Sequence, residues 1–381
     1  MKPLVSILIP AYNAEPWIAD AIRSALEQTW QKTEIIVVDD GSTDQTLSVA
    51  RQFASNRVSV VAQANQGAAA ARNKAFSLSQ GDYIQWLDAD DLLAPDKIAN
   101  QLKSTSGKRT LLSSAWGHFF YRHSKAQFKP TPLWCDLSPV EWLIRKMGQN
   151  CHMQTATWLV SRELAETAGP LDTRLLGDDD GEYFCRVIMA SDGIRFTSNA
   201  RVYYRMTGSN RLSNIGRSDR KMEAQLLSIQ LHIQYLRSLE DSDRTRAACV
   251  KYLQYYLFDF HPERPDIVDR MRNLARSLGG ELTDPRLPWK YSWIKTVFGW
   301  NIAKRARIVL PEVKTSLLKT WDKTCFLLES WNYSVVGILM TLPILYYFAG
   351  RAGPVTTSDL WTGMLRYVPV WAVACGTTWL M

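Results

Sequence analysis

Short, continuously apolar runs alternate with amphipathic stretches through the first hundred residues. Residues 5–10 (VSILIP) form a β-rich run, and Trp17, Ile18, Ala21, Ile22, Ala25 and Leu26 follow at helical spacing. The unit repeats: an apolar run at 35–38, a Gly/Ser turn, then a helix through Leu47, Val49, Ala50 and Phe53. Residues 58–63 lead through ANQG into an Ala-rich helix over 68–78, and YIQWLDADD leads into a fourth helix with Pro95 in its first turn. Strands alternating with helices imply right-handed crossovers and a mainly parallel sheet. Unbroken apolar runs imply that helices cover both of its faces. The pattern predicts a Rossmann-like α/β fold.

Beyond this half, TLLSSAW, TATWLVS and ARVYYRM read as strands, and SPVEWLIRKM and SRELAETAG as helices. Residues 222–239 and 244–260 read as amphipathic helices of a small annex. Residues 331–350 carry no charge over 20 positions, about the length of a bilayer crossing, and 367–381 form a shorter charge-free stretch. A division into 1–215, a helical annex at 216–284 and a tail at 285–381 follows.

Charge sharpens this division. Residues 1–100 hold 8 basic and 12 acidic residues, a net of −4, so the other 281 carry +12 of the chain's +8. Residues 285–325 hold nine basic residues against Glu312 and Asp322, together with Trp289, Trp293, Trp300 and Trp321. That composition suits an anionic membrane surface and its interfacial belt. A helix pair packed on the annex is the alternative, which Pro343 does not exclude. The segment adjoins apolar runs and follows an acidic domain, which sets nucleic acid aside as a partner. Six scattered cysteines without a CxxC fit a reducing compartment and give no thiolate metal signal. The first residues have too short an apolar run for a secretory signal.

Ligands of such sheets bind beyond the carboxyl ends of the strands. Every polar cluster of the N-terminal half falls there: Tyr12-Asn13, Asp39-Asp40, Asn65-Gln66-Gly67 and Asp88 to Asp91. Asp88 and Asp90, two apart at a strand end, are expected to point the same way. Paired hard oxygens suit Mg²⁺ or Mn²⁺ completed by phosphate, whereas solvated loop acids, with Asp91 starting a turn, are the alternative. Asp39 and Asp40 can accept from a nucleobase N–H, and Asp44 can cap the next helix. Arg72 and Asn73 lie on a helix that starts at a glycine loop, a place that favours phosphate. Without GxGxxG or GxxxxGK[ST], the dinucleotide and P-loop readings fail.

VSILIPAYNAEPWIADAIRSALEQTW, EIIVVDDGSTDQT, NQGAAAARNKAF, GDYIQWLDADD and AGPLDTRLLGDDDGEYFCRV, in this order, resemble family 2 glycosyltransferases of the GT-A fold. The resemblance is dense over 4–100, extends to about 213 and is absent thereafter. It implies a nucleobase pocket at Pro10, Ala11, Tyr12 and Asp40 with Asp39 beside it, and nucleotide-side positions at Arg72 and Asn73. It makes Asp88 and Asp90 the DxD motif, with Asp90 meeting the metal most directly. The family's base lies in an acidic pair six residues before an Arg. Counting back from Arg186 gives Asp180, preceded by Asp179; Asp178 extends the run and Glu182 is an outside candidate. Gln154, Thr155 and Trp158 match the acceptor side, with His152 either there or in the structure, and Arg205 and Arg211 are candidate phosphate contacts. The implied activity is a metal-dependent, inverting transfer from a nucleotide sugar, a UDP-sugar above others, to a hydroxyl of a glycan or lipid-linked acceptor. The setting is cell-envelope polysaccharide synthesis at the cytoplasmic face of the membrane. An inactive glycan- or nucleotide-binding subunit is the competing reading, and the retained acids argue against it. A sugar nucleotidyltransferase would open on a Gly-rich basic loop, which IPAYNAEPW is not.

Overall fold

The computed structural model describes residues 2–207 and 218–330; Arg211 and the charge-free stretches 331–350 and 367–381 lie outside them. The chain separates into two compact units, Met1–Ser316 and Leu317–Met381. The described residues of the second, 317–330, are helical. No helix of the described residues is long and apolar enough to cross a membrane.

In the first unit β1 (Val5–Ala11), α1 (Ile18–Leu26), β2 (Thr33–Asp39), α2 (Thr46–Arg51), β3 (Val58–Ala62), α3 (Ala68–Leu78) and β4 (Tyr83–Trp86) follow the apolar pattern. Then come β5 (Leu92–Leu93), α4 (Lys97–Lys103), β6 (Thr110–Phe119), β7 (Gln127–Phe128), α5 (Pro139–Gly148), β8 (Val160–Ser161), α6 (Arg162–Ala168), α7 (Asp179–Ala190) and β9 (Gly193–Arg205). The helices α8 (Asp219–Leu239), α9 (Asp243–Phe260), α10 (Pro265–Ser277) and α11 (Trp289–Ser330) complete the series, the last interrupted at Gly299.

The main sheet has the order β3-β2-β1-β4-β8, parallel except for β8. A second sheet, β5-β9-β6-β7, pairs β6 parallel to β9 with a register shift between Ser114 and Ala115. Successive residues of β1 and β2 enter opposite layers. Ile7, Ile9, Ile35 and Val37 pack with Ile18, Ala21 and Ile22 of α1. Leu8, Ile36 and Val38 join Trp86, Tyr183 of α7, and Leu226, Tyr252 and Met271 of α8–α10. Burial on both faces is why these strands read as unbroken apolar runs. Each fully buried Ile or Leu contributes about 1.5–3 kcal/mol, so these layers fix where the strand ends emerge.

Three details depart from the sequence pattern. β4 stops at Trp86, and Asp88 to Asp91 form a turn closed by Asp91 N donating to Asp88 O at 3.1 Å. Residues 155–161 contribute only the short β8, because Gln154 Oε1 takes the Ala156 N–H (2.8 Å) and starts a 3-10 turn at Thr155–Thr157. α10 adds to the expected annex a helix beyond 222–239 and 244–260, with Pro265 at its start and Ile267, Val268, Met271 and Ala275 buried along one side.

Candidate active site

The loops that follow β1 and β2 are fastened to each other. Ala11 O accepts from Asp40 N (2.8 Å), Asn13 Oδ1 accepts from Thr43 N (2.8 Å), and Asn13 N donates to Ser42 Oγ (3.0 Å). Asp44 accepts from Thr46 N (3.0 Å) and Glu15 N (3.2 Å), so it ties the loops as well as starting α2. Pro10 and Ala11 end β1, and Tyr12 stands half-exposed at the rim.

Asp39 and Asp40 are both buried but differ in what they hold. Asp40 Oδ1 accepts from Gln63 Nε2 (2.7 Å) and Gln66 N (2.9 Å), and its Oδ2 accepts from Gly67 N (2.8 Å). It therefore fixes the loop that launches α3, where Gly67 sits at φ 92°, a conformation that favours glycine. Asp39 Oδ2 accepts from Ser42 N (3.2 Å), while its Oδ1 is buried with no hydrogen-bond partner among the described residues. A buried acceptor left unmet costs roughly 1–3 kcal/mol, which a ligand N–H would recover.

Arg72 of α3 joins the acids of two distant elements. Its Nη2 donates to Asp88 Oδ1 and its Nη1 to Asp179 Oδ2, each at 2.7 Å. Burial works to lower its pKa, but Asp179, Asp88 and Asp180 outweigh it and raise it above the ordinary arginine value. Burial, with Asp180 and Asp88, raises Asp179 even though Arg72 opposes them. So a guanidinium of the protein itself neutralises part of the acidic cluster. Asn73, next on α3, exchanges both its polar atoms with the backbone of Leu171, at 2.8 and 2.9 Å, and braces the loop before α7.

Around the turn after β4, Asp90 Oδ2 accepts from Thr207 Oγ1 (3.1 Å) and its carbonyl from Arg205 Nε (2.8 Å). Asp91 is fully buried. It accepts from Gln154 Nε2 (2.7 Å) and Arg205 N (2.9 Å), and burial beside Asp90 and Asp88 pushes its pKa well above the carboxylate range. The Arg205 guanidinium lies 4.6 Å from the Trp17 ring and 4.7 Å from that of Phe119, and pairs with Asp20 at 3.0 Å. Arg205, a candidate phosphate contact by sequence, thus holds the acidic turn.

The third acidic group opens α7. Asp178 precedes the first turn and accepts from Ser228 Oγ of α8; burial pushes its pKa up to about 6, with Lys146 opposing and Asp180 adding to the rise. A Cβ at Gly181 would fall 2.0 Å from Asp178 Oδ1, so glycine is what allows this acid to fold back on the helix. Glu182 is buried and consumed by Arg186 (2.8 Å to each oxygen) and by Tyr235 Oη (2.5 Å). Asp180 is half-buried, accepts from Thr155 Oγ1 and from Gly181 N (2.9 Å), and makes no ion pair among the described residues.

Of the acceptor-side candidates, Trp158 is core, stacked on Phe184 at 5.4 Å, and Gln154 serves Asp91. Thr155 meets the acid Asp180. His152 lies 5.2 Å from Trp116, its pKa lowered by burial and Lys146 and raised by Asp180. Sequence reasoning missed Ser228 and Lys146, which shape the acids of α7 from other helices; Ser228 lies 50 residues from Asp178, and no local pattern links them.

No closed cage of three His, Cys, Asp or Glu side chains occurs among the described residues. Asp88 has one oxygen on Arg72 and its side chain is 26% exposed, and Asp90 stands beside it in the same turn. One or two carboxylates are the protein share that Mg²⁺ or Mn²⁺ takes when phosphate supplies the rest, so these residues fit such an ion.

Residues 6–151 match the model of glycosyl transferase family 2. An uncharacterised glycosyltransferase, EpsJ of Bacillus subtilis, is 43% identical over 187 residues, which span 47% of this chain and 53% of EpsJ. Chondroitin synthase of Escherichia coli is 46% identical over 98 residues, 25% of this chain and 14% of that protein. The chain thus spans about half the length of these relatives or less. The crystal structure of S. aureus TarS 1–349 in complex with UDP-GlcNAc superposes with a TM-score of 0.52 at 17% identity, covering 72% of this chain and 88% of TarS 1–349. That likeness identifies the fold as GT-A.

Proposed function

Because residues 6–151 belong to glycosyl transferase family 2, we propose that the chain transfers a sugar from a nucleotide sugar to a hydroxyl of a glycan or lipid-linked acceptor. One observation supports the reading: Arg72 bridges Asp88, in the turn that also carries Asp90, to Asp179, the neighbour of Asp180 on α7, so acids from a strand end and a helix start are drawn together. A UDP-sugar is the favoured donor, supported by the UDP-GlcNAc bound to TarS. Chondroitin synthase among the relatives supports an acceptor in envelope polysaccharide synthesis.

In this reading Asp39 takes the nucleobase N–H with its unmet Oδ1, Tyr12 walls the base, and Asp40 keeps the loop 63–67 in place. Asp88 and Asp90 would hold Mn²⁺ or Mg²⁺, which when bound would supply positive charge against the leaving diphosphate. Asp180 accepts the proton of the acceptor hydroxyl as it attacks the anomeric carbon, and Thr155 aims the carboxylate. With one base and no carboxylate nucleophile, a single displacement inverts that centre. Arg72 keeps Asp179 from repelling the diphosphate side. Residues 1–215 carry both substrates, 216–284 brace α7 through Ser228, and the basic, Trp-rich 285–381 hold the chain to the anionic cytoplasmic face of a membrane, where lipid-linked acceptors sit.

Asp180→Asn tests the assignment. The variant is expected to bind nucleoside diphosphate as before and to lose at least about 100-fold in transfer, the usual contribution of a general base. Normal turnover by it would displace Asp180 from the role.

A further inference from the structure

Four tryptophans mark the basic segment, and the structure divides them. α11 is seated through one side: Tyr291 and Ala303 are buried, and Trp300 lies edge-on to His261 at 5.0 Å. On this side too, Lys304 Nζ donates to His261 O (2.7 Å) and pairs with Glu263 (2.6 Å), and the Arg307 guanidinium stands 4.0 Å from the Phe258 ring. At about 100° per residue, Trp289, Trp293 and Val297 fall together on the side away from Tyr291. After the break at Gly299, Ile302, Val309 and Val313 fall together away from Ala303, Lys304 and Arg307. The first three are 86%, 58% and 65% exposed and the second three about half exposed. Contiguous apolar stripes of this kind are rarely left to water on a soluble surface.

What covers the stripe is indicated by its flanks. Lys290 and Arg305 border it, with Glu312 as the only acid between residues 285 and 316. An apolar stripe bearing tryptophan and edged by cations matches an anionic lipid interface in both charge and depth, whereas a partner protein would need a complementary acidic, apolar groove. We propose that the stripe Trp289-Trp293-Val297 and Ile302-Val309-Val313 is the surface that docks on anionic phospholipid, with residues 289–313 lying in the interfacial plane. The proposal rests on the reading of the chain as a transferase that serves a membrane-bound acceptor.

The test uses the full chain, sedimented with phosphatidylcholine vesicles with and without phosphatidylglycerol. Wild type should favour the anionic vesicles. Trp289→Ala/Trp293→Ala should partition at least about tenfold less onto them, given the transfer free energy of two large side chains. Lys290→Glu/Arg305→Glu should lose the lipid preference, and Tyr255→Ala, an exposed aromatic elsewhere, should behave as wild type. Equal partitioning of wild type and the tryptophan variant would overturn the proposal. So would a wild-type dimer that the same variant splits, since a second copy would then occupy the stripe. Nucleoside diphosphate release from a soluble donor is measured alongside and should be unchanged in every variant. Absent release with lipid binding as described would sink the catalytic reading and leave this surface standing.

Discussion

Replacing Arg72 by methionine removes the cation from between Asp88 and Asp179 while keeping most of the side-chain volume. Arg72 is 7% exposed, and both of its carboxylate bonds are 2.7 Å long. Breaking a buried ion pair by deleting one partner costs about 3–5 kcal/mol, because the remaining charge is left uncompensated. At roughly 2–4 °C per kcal/mol for a domain of this size, the melting temperature should fall by about 6–20 °C. The loss has a pH signature. Asp179 is already raised with Arg72 present, and without it rises further. A carboxyl whose folded-state pKa lies above its unfolded value binds its proton more tightly when folded, so its contribution to stability falls as pH climbs through that window. The deficit of Arg72→Met against wild type should therefore be larger at pH 8 than at pH 5. Arg72→Lys should lie between them, since one ammonium lacks the fork that reaches two carboxylates. Thermal unfolding by circular dichroism at both pH values reads this directly. A deficit below about 1 kcal/mol, or one equal at the two pH values, would refute the bridge as the source of charge balance.

Other consequences are equally concrete. Thr155→Val removes the hydroxyl that donates to Asp180; kcat should fall about tenfold or more with donor KM unchanged, while Thr155→Ser restores it. Asp178 is pushed up to about 6 from 3.8, worth about 3 kcal/mol of instability once the pH exceeds its folded value. Asp178→Asn keeps an acceptor for Ser228, so it should stabilise the protein at pH 7.5 and have little effect near pH 4; a flat difference across that range would rule the assignment out. Asp39→Asn should weaken UDP binding by about tenfold or more in calorimetry at unchanged melting temperature, whereas Asp40→Asn should chiefly lower the melting temperature. Reversal of that contrast would exchange their roles.

The α/β architecture was readable because β1 and β2 are buried on both faces, which writes itself into sequence as unbroken apolar runs. The same rule misplaced the end of β4: Leu87, just past the strand, and Ala89, in the turn, are both buried, so the apolar run continues past the strand. The acids were legible as clusters at strand ends. Their connections were not, because Arg72 reaches Asp179 across 107 residues and Gln154 reaches Asp91 across 63, and hydrogen bonds over such separations leave no local pattern. The charge expected to join Asp88 to its surroundings was a metal ion; the fold sets the Arg72 guanidinium against it. Composition put all four tail tryptophans in one class, while the seating of α11 buries the contacts of Trp300 and leaves Trp289 and Trp293 in water.

The central claim is that this cleft turns over a nucleotide sugar, and it meets its most direct test in a panel of UDP-, GDP- and dTDP-sugars with Mn²⁺, scored by release of nucleoside diphosphate. The account predicts release from a UDP-sugar that is abolished by chelation and by Asp180→Asn. Tight nucleotide binding with no release from any donor, with or without acceptor glycans, would contradict it and make the chain a binding subunit.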